Sequence, residues 1–201
     1  VYNFEKGEKM NQYLLLLRGV NVGGKNKISM EVLKQVLQQN GFTSVRSYIN
    51  SGNLLCESAH NQQTVRELCE KLILESFAKR ISVCVLERQE FCDAVDSKPL
   101  WWGCDDITPQ GTTRQDTPSP RKHNAVFCLE GTAQEFLASV TCLQEGEQIE
   151  AEQQILFWSV DAQFFDNSAL KQQLDKKRVS QCVTVRNYKT TLQLRALMAQ
   201  K

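Results

Sequence analysis

The sequence predicts an α+β protein of two βαββαβ units in tandem, each an antiparallel sheet with its helices packed on one face. Three observations carry this expectation. Short apolar runs alternate with segments of helical period between residues 10 and 96. The same order returns, more weakly, between residues 123 and 201. The stretch between them, residues 97–122, holds all four prolines of the chain. With 201 residues, 41% of them hydrophobic, the chain is long enough for one sizeable domain or two compact ones.

Tyr13 to Arg18 (YLLLLR) is a continuous apolar run, too short for a typical helix and followed at once by Gly and Asn, so it reads as a buried strand. Ser29 then stands as an N-cap. From Met30 to Gln39 the residues Met30, Val32, Leu33, Val36 and Leu37 recur at three- and four-residue spacing, and Asn40-Gly41 supplies the stop. Phe42 to Asn50 is rich in β-branched and aromatic residues, Asn50-Ser51-Gly52-Asn53 is turn chemistry, and Leu54-Leu55-Cys56 resumes an apolar strand. Gln62 to Lys79 carries Val65, Leu68, Cys69, Leu72, Ile73 and Phe77 at helical spacing before a strand at Ile81 to Leu86. With right-handed crossovers this order builds a ferredoxin-like unit.

The second half repeats the order of elements without a visible residue-level repeat. Asn124 to Leu129 reads as a strand, Thr132 to Leu143 as a helix, Gln148 to Ala151 and Ile155 to Val160 as a strand pair, Ser168 to Lys177 as a helix and Val183 to Val185 as a closing strand. A terminal helix follows over Tyr188 to Gln200. In the connecting segment 97–122, Gln110 to Pro120 has the composition of a surface loop. Trp101 and Trp102 either pack at a junction or stack on a flat ligand. Residues 1–9 (VYNFEKGEK) carry no hydrophobic period and are expected to lie outside the fold. Glu-Lys-Gly-Glu-Lys before Met10 can be encoded by a purine-rich stretch resembling a bacterial ribosome-binding site, which makes Met10 the expected start and the source bacterial. The mass of the product of the native locus tests this.

The formal charge is +1, from 24 Lys plus Arg against 23 Asp plus Glu, so no global field favours nucleic acid or an anionic membrane. The eight cysteines are scattered singly with no C-x-x-C pair. They read as buried, reduced thiols of a cytoplasmic protein. No apolar run reaches the roughly 18 residues that a bilayer span needs.

The loop after the first strand combines Arg18, Gly19, Asn21, Gly23, Gly24, Lys25 and Lys27 immediately before a helix. Glycines allow close backbone approach, open amides at a helix start favour an anion, and the basic side chains neutralise it. Shaping of the crossover explains the glycines equally well. The spacing is neither G-x-x-x-x-G-K-[ST] nor G-x-G-x-x-G, which disfavours a nucleoside triphosphatase and implies no cofactor. Arg46, Arg186 and Asn187 are further candidates to converge on the loop, or to pair with surface carboxylates. Asn53 either donates to an oxyanion or simply forms its turn. Only His60 and His123 are present, and Asp105-Asp106 has no third ligand in sight, so a histidine triad and a metal site are both disfavoured.

LLLLRGVNVGGKNKISM, SYINSGNLL, WWGCDD, RKHNAVF and TVRNYKT together resemble the bacterial domain-of-unknown-function family numbered 1697. The resemblance runs over nearly the whole chain from Met10, with an insertion at Gln110 to Pro120. It implies an α+β fold containing a ferredoxin-like unit and no particular activity. The positions matching its motifs are Arg18, Gly19, Asn21, Gly23, Gly24, Ser51, Gly52, Asn53, Arg186 and Asn187.

Three functions follow as expectations. The leading one is binding of a small phosphate-bearing or carboxylate ligand, such as a nucleotide, at the glycine-basic loop. The second is hydrolysis of a phosphoester or acyl phosphate there, with Arg18 and Asn53 in the parts that arginine and asparagine play in acylphosphatases, by fold-level analogy. The third is RNA binding, which lacks an aromatic platform in Leu54-Leu55-Cys56 and a basic face, so nucleic acid is not the expected partner. An exposed sheet edge or the Trp101-Trp102 region would suit a homodimer.

Overall fold

The computed structural model describes residues 9–23, 26–104, 120–140, 143–144 and 146–200. The chain divides into two compact units. One holds the chain up to Cys92 and takes in its end from Ala196; the other runs from Asp93 to Arg195. The fold is mixed α and β, with two four-stranded antiparallel sheets.

In the first unit the elements run β1 (Asn11–Leu17), α1 (Met30–Gln39), β2 (Thr43–Ser47), β3 (Asn53–Ser58), α2 (Gln62–Phe77), β4 (Val83–Glu87) and α3 (Arg88–Asp96), the last crossing into the second unit's residues. The sheet order is β2-β3-β1-β4, so each crossover steps over one strand. The expected first helix is found residue for residue. Ser29 caps it by accepting the Val32 amide at 3.3 Å. Asn61 does the same for α2, accepting from Thr64 at 2.9 Å. Buried faces of α1 and α2 meet Tyr13, Leu15, Leu17, Leu54, Cys56, Val83 and Val85 in one core. The alternate residues Leu14, Leu16, Leu55, Cys84 and Leu86 are buried as well. A strand buried on both faces needs no polar alternation, which is why β1 reads as an unbroken apolar run.

The second unit continues with β5 (Arg121–Cys128), α4 (Ala133–Ala138), β6 (Glu147–Glu152), β7 (Ile155–Asp161), a 3-10 turn (Ala162–Asn167), α5 (Ala169–Asp175), α6 (Lys177–Ser180), β8 (Val183–Asn187) and α7 (Tyr188–Ala199). Its sheet order is β6-β7-β5-β8. Val126, Cys128, Leu156, Trp158, Val160 and Val183 pack with Ala133 and Leu170 in its core. Thr132 and Glu135 form a reciprocal capping box that starts α4. That helix ends at Ala138 rather than at the expected Leu143.

Strand β5 begins three residues before the expected Asn124, and the reason is electrostatic. The Arg121 guanidinium is buried and donates to Ser159 Oγ at 2.7 Å, Asp161 Oδ1 at 2.6 Å and the Gly146 carbonyl at 2.8 Å. A charge so neutralised belongs inside a strand. In the connecting segment, Trp102 is fully buried and packs edge-on to Phe157 at 4.8 Å. Asp105-Asp106 and the Gln110 to Ser119 part of the expected surface loop lie outside the described residues.

Candidate functional site

Two asparagine side chains tie down the described part of the loop between Arg18 and Ser29. Asn21 sits in the left-handed region at φ 56. Its amide nitrogen donates to the Ile28 carbonyl at 2.9 Å and to the Asn50 carbonyl at 2.7 Å, while its oxygen accepts the Ile28 amide at 2.9 Å. Both amide hydrogens are thereby used within the protein. Asn21 therefore closes the loop and ties it to the β2–β3 turn, and its amide has no hydrogen left for a ligand. Asn26 adds a second clasp, donating to the Gly19 carbonyl at 3.2 Å.

The β2–β3 turn is itself tightly built. Ile49 and Gly52 have φ 49 and 76, and a β-carbon at Gly52 would stand 2.4 Å from Val20 Cγ2 and 2.7 Å from Leu17 Cβ. Only glycine fits there. Fully buried Asn53 donates to the Tyr48 carbonyl at 3.1 Å and to Ser51 Oγ at 3.0 Å. Both bonds lie within the turn.

Between this turn and the start of α1 lies an open depression of about 670 Å³, lined by Asn21, Lys27, Ile28, Ser29, Met30, Glu31, Ser47 and Asn50. Ser29 accepts from Val32, and the Leu33 amide reaches the Ser29 carbonyl at 3.0 Å, leaving the Met30 and Glu31 amides as the open donors of the first turn. Lys27 brings a cation to the same hollow. The Glu31 carboxylate is paired with Lys34 at 2.7 Å.

Of the residues singled out in the sequence, Asn21 and Lys27 line this depression. Arg18 flanks the loop at the end of β1, where its amide donates to the Ser82 carbonyl at 3.0 Å. Gly19 and Gly23 take positive φ of 61 and 57 and so shape the chain. Gly24 and Lys25 lie outside the described residues. Arg46 pairs with Leu55 across the sheet, while its neighbour Val45 enters the core shared with α1 and α2. Alternation thus puts Arg46 on the other face, where Gln12, Ser44 and Glu57 are its neighbours. Arg186 belongs to the second unit, donating to Thr184 Oγ1 at 2.8 Å and to the Val185 carbonyl at 2.9 Å. Asn187 caps α7 by accepting the Thr190 amide at 2.8 Å. Sequence reasoning missed Ser47 and Asn50 as lining residues, although Asn50 opens a turn that the sequence marks plainly and Ser47 ends the strand before it.

Residues 10–157 match the family described as "Protein of unknown function (DUF1697)". The chain belongs to the DUF1697 family. No curated protein matches it. A solved structure of a conserved bacterial protein from Streptococcus pneumoniae is similar over 94% of this chain and 99% of that one, with 27% identity and a TM-score of 0.76. The DUF1697 match contains the whole Arg18 to Ser29 loop and the β2–β3 turn, and stops before Arg186 and Asn187.

Burial pushes the Cys56 thiol up to about 12 and Cys128 to about 11, and it raises Cys69 well above its ordinary value. Thiols held that high are inert at neutral pH. His123 stands opposite Ser159 in the β5–β7 register, but its Nδ1 accepts the Gly103 amide at 3.1 Å and Ser159 is fully buried beside Arg121. Among the described residues no group of three or more His, Cys, Asp or Glu is placed to hold a metal, and no helix is long and apolar enough to cross a membrane.

Proposed function

We propose that this protein binds a small phosphate-bearing or carboxylate ligand, in the size range of a nucleotide, in the depression between the Arg18 to Ser29 loop and the β2–β3 turn. One observation carries the reading: Lys27 and the open first turn of α1 line the same hollow of about 670 Å³. A cation and aligned amide dipoles both favour an anion there. Ser29, Ser47 and Asn50 supply neutral hydrogen-bonding groups around it. The fold we infer behind the site is a pair of ferredoxin-like units, in keeping with the two sheet orders. A cytoplasmic setting suits the cysteines among the described residues, which are thiols rather than disulfides.

Hydrolysis is the weaker reading, because Asn53, the residue that would position water, already gives both amide hydrogens to Tyr48 and Ser51. RNA binding is weaker still, because Tyr13 is buried and the inner strands β1 and β3 offer no other aromatic ring.

Thermal stability measured with phosphate, sulfate, nucleotides and acetyl phosphate, against chloride at matched ionic strength, tests the proposal. A ligand at about 100 times its dissociation constant adds roughly 2.7 kcal/mol to the folded state. The melting shift is expected in the native protein and is expected to shrink in Lys27→Ala. Equal shifts in both proteins, or none with any anion, would remove the reading. Turnover of acetyl phosphate would move the hydrolase reading ahead of it.

A further inference from the structure

The Trp101-Trp102-Gly103 segment is fastened to the second unit at three points. The Trp102 indole nitrogen donates to the Asn124 carbonyl at 2.9 Å. Its rings lie edge-on to Phe157 and Tyr188, with centroids 4.8 and 4.9 Å away. Gly103 then turns at φ 92 directly against Tyr188, so close that a β-carbon would stand 2.1 Å from the ring. Its amide ends on His123 Nδ1 at 3.1 Å.

This last bond fixes the tautomer. A ring nitrogen that accepts a hydrogen bond carries no proton, so the hydrogen of neutral His123 resides on Nε2. A proton taken from solvent then has one place to go, which is Nδ1. There it meets the Gly103 N–H, and an accepting contact becomes two donors face to face. We propose that His123 is an acid-sensitive latch on the Trp-Trp-Gly segment: protonation at Nδ1 expels the Gly103 amide and loosens Trp102 from Phe157 and Tyr188.

Among the described residues, the polar and charged groups on the strands and helix beside the ring have partners of their own. Ser159, opposite on β7, takes the Arg121 Nε hydrogen. Asp161, also on β7, is bound to Arg121, which lies two residues before His123 on its own strand. Arg186, on β8 opposite Ala125, is a cation held by Thr184 and the Val185 carbonyl. Tyr188 at the start of α7 has its ring centroid 6.1 Å from the imidazole. Cys104 follows Gly103 in the segment itself, its amide donating to the Trp101 carbonyl at 3.2 Å.

Hydrogen exchange at the Gly103 amide and the Trp102 indole, followed by NMR on the whole chain from pH 8 to 5.5 and corrected for intrinsic exchange, tests the latch. Protection is expected to fall by about tenfold per pH unit once the ring titrates, with the secondary structure unchanged by circular dichroism. In His123→Asn the side-chain oxygen takes the place of Nδ1 and cannot titrate, so protection is expected to stay flat. The imidazole nitrogen shifts of the native protein give an independent reading, with Nε2 expected to carry the hydrogen at pH 8. A proton on Nδ1 at that pH would overturn the proposal. So would full protection of Gly103 after the ring has titrated, or the same loss of protection in a folded His123→Asn variant.

Discussion

Replacing Asn21 by alanine removes three hydrogen bonds at once and leaves a residue with a β-carbon at φ 56. Each bond contributes about 0.5–1.5 kcal/mol net, with the lower part of that range suited to a partly exposed loop. Alanine in a left-handed conformation costs a further 1–2 kcal/mol or so, which asparagine and glycine largely avoid. Together these give about 2–4 kcal/mol, lowered somewhat if water replaces the lost partners. Urea unfolding at fixed pH measures it. Asn21→Gly separates the two causes, since it loses the bonds but keeps the backbone geometry, and it is expected to be about 1 kcal/mol less damaging than alanine. Asn21→Asp keeps the acceptor for Ile28 but sets carboxylate oxygens against the Ile28 and Asn50 carbonyls, so it is expected to be no better than alanine at pH 7. An alanine variant within about 0.5 kcal/mol of the native protein would show that the clasp contributes nothing. Equal losses for glycine and alanine would refute the backbone part of the reasoning.

Gly52→Ala drives a β-carbon into Val20 and Leu17 at positive φ, and a loss of at least about 2 kcal/mol is expected in the same urea assay. Asp161→Ala leaves the Arg121 guanidinium buried without its carboxylate, for which roughly 3–5 kcal/mol is expected, read as a lower unfolding midpoint in urea. Hydrogen bonds from Gln12 and then Ser44 hold the Glu57 carboxyl below its ordinary range. A carboxyl depressed on folding stabilises above its unfolded value, near about 4.3, and loses that contribution as pH falls through the lower folded value. Glu57→Gln is therefore expected to cost stability at pH 7 and little at pH 2, compared by urea unfolding at each pH.

Much of the fold was legible because its signals are local. Ser29, the Met30 to Leu37 spacing and Asn40-Gly41 define α1 without tertiary help, and Asn50 to Asn53 marks its turn by composition. The elements that escaped depend on distant partners. Helix α3 has nine residues that read as polar, RQEFCDAVD, and is recognised only once Phe91, Ala94 and Val95 are seen to be buried. Arg121 looks like the solvated end of a loop until Ser159 and Asp161, some 40 residues away, are brought beside it. The site divides in the same way. A basic, glycine-rich loop entering a helix could be read directly, and Lys27 of that loop lines the depression beside the helix start. That Asn21 would be consumed by Ile28 and Asn50, and Asn53 by its own turn, follows from contacts that sequence spacing does not reveal. The placement of Arg46 was accessible in principle, since strand alternation sends it to the face opposite Val45.

The most direct test of anion binding is an amide NMR titration of the native protein with inorganic phosphate at constant ionic strength. Saturable shifts are expected at Lys27, Met30 and Glu31, with smaller ones at Ser47 and Asn50, and a weaker response in Lys27→Ala. Amides of α1 that do not move, or shifts that stay linear in phosphate up to high concentration, would contradict a site at this end of the helix and leave the loop as a structural crossover.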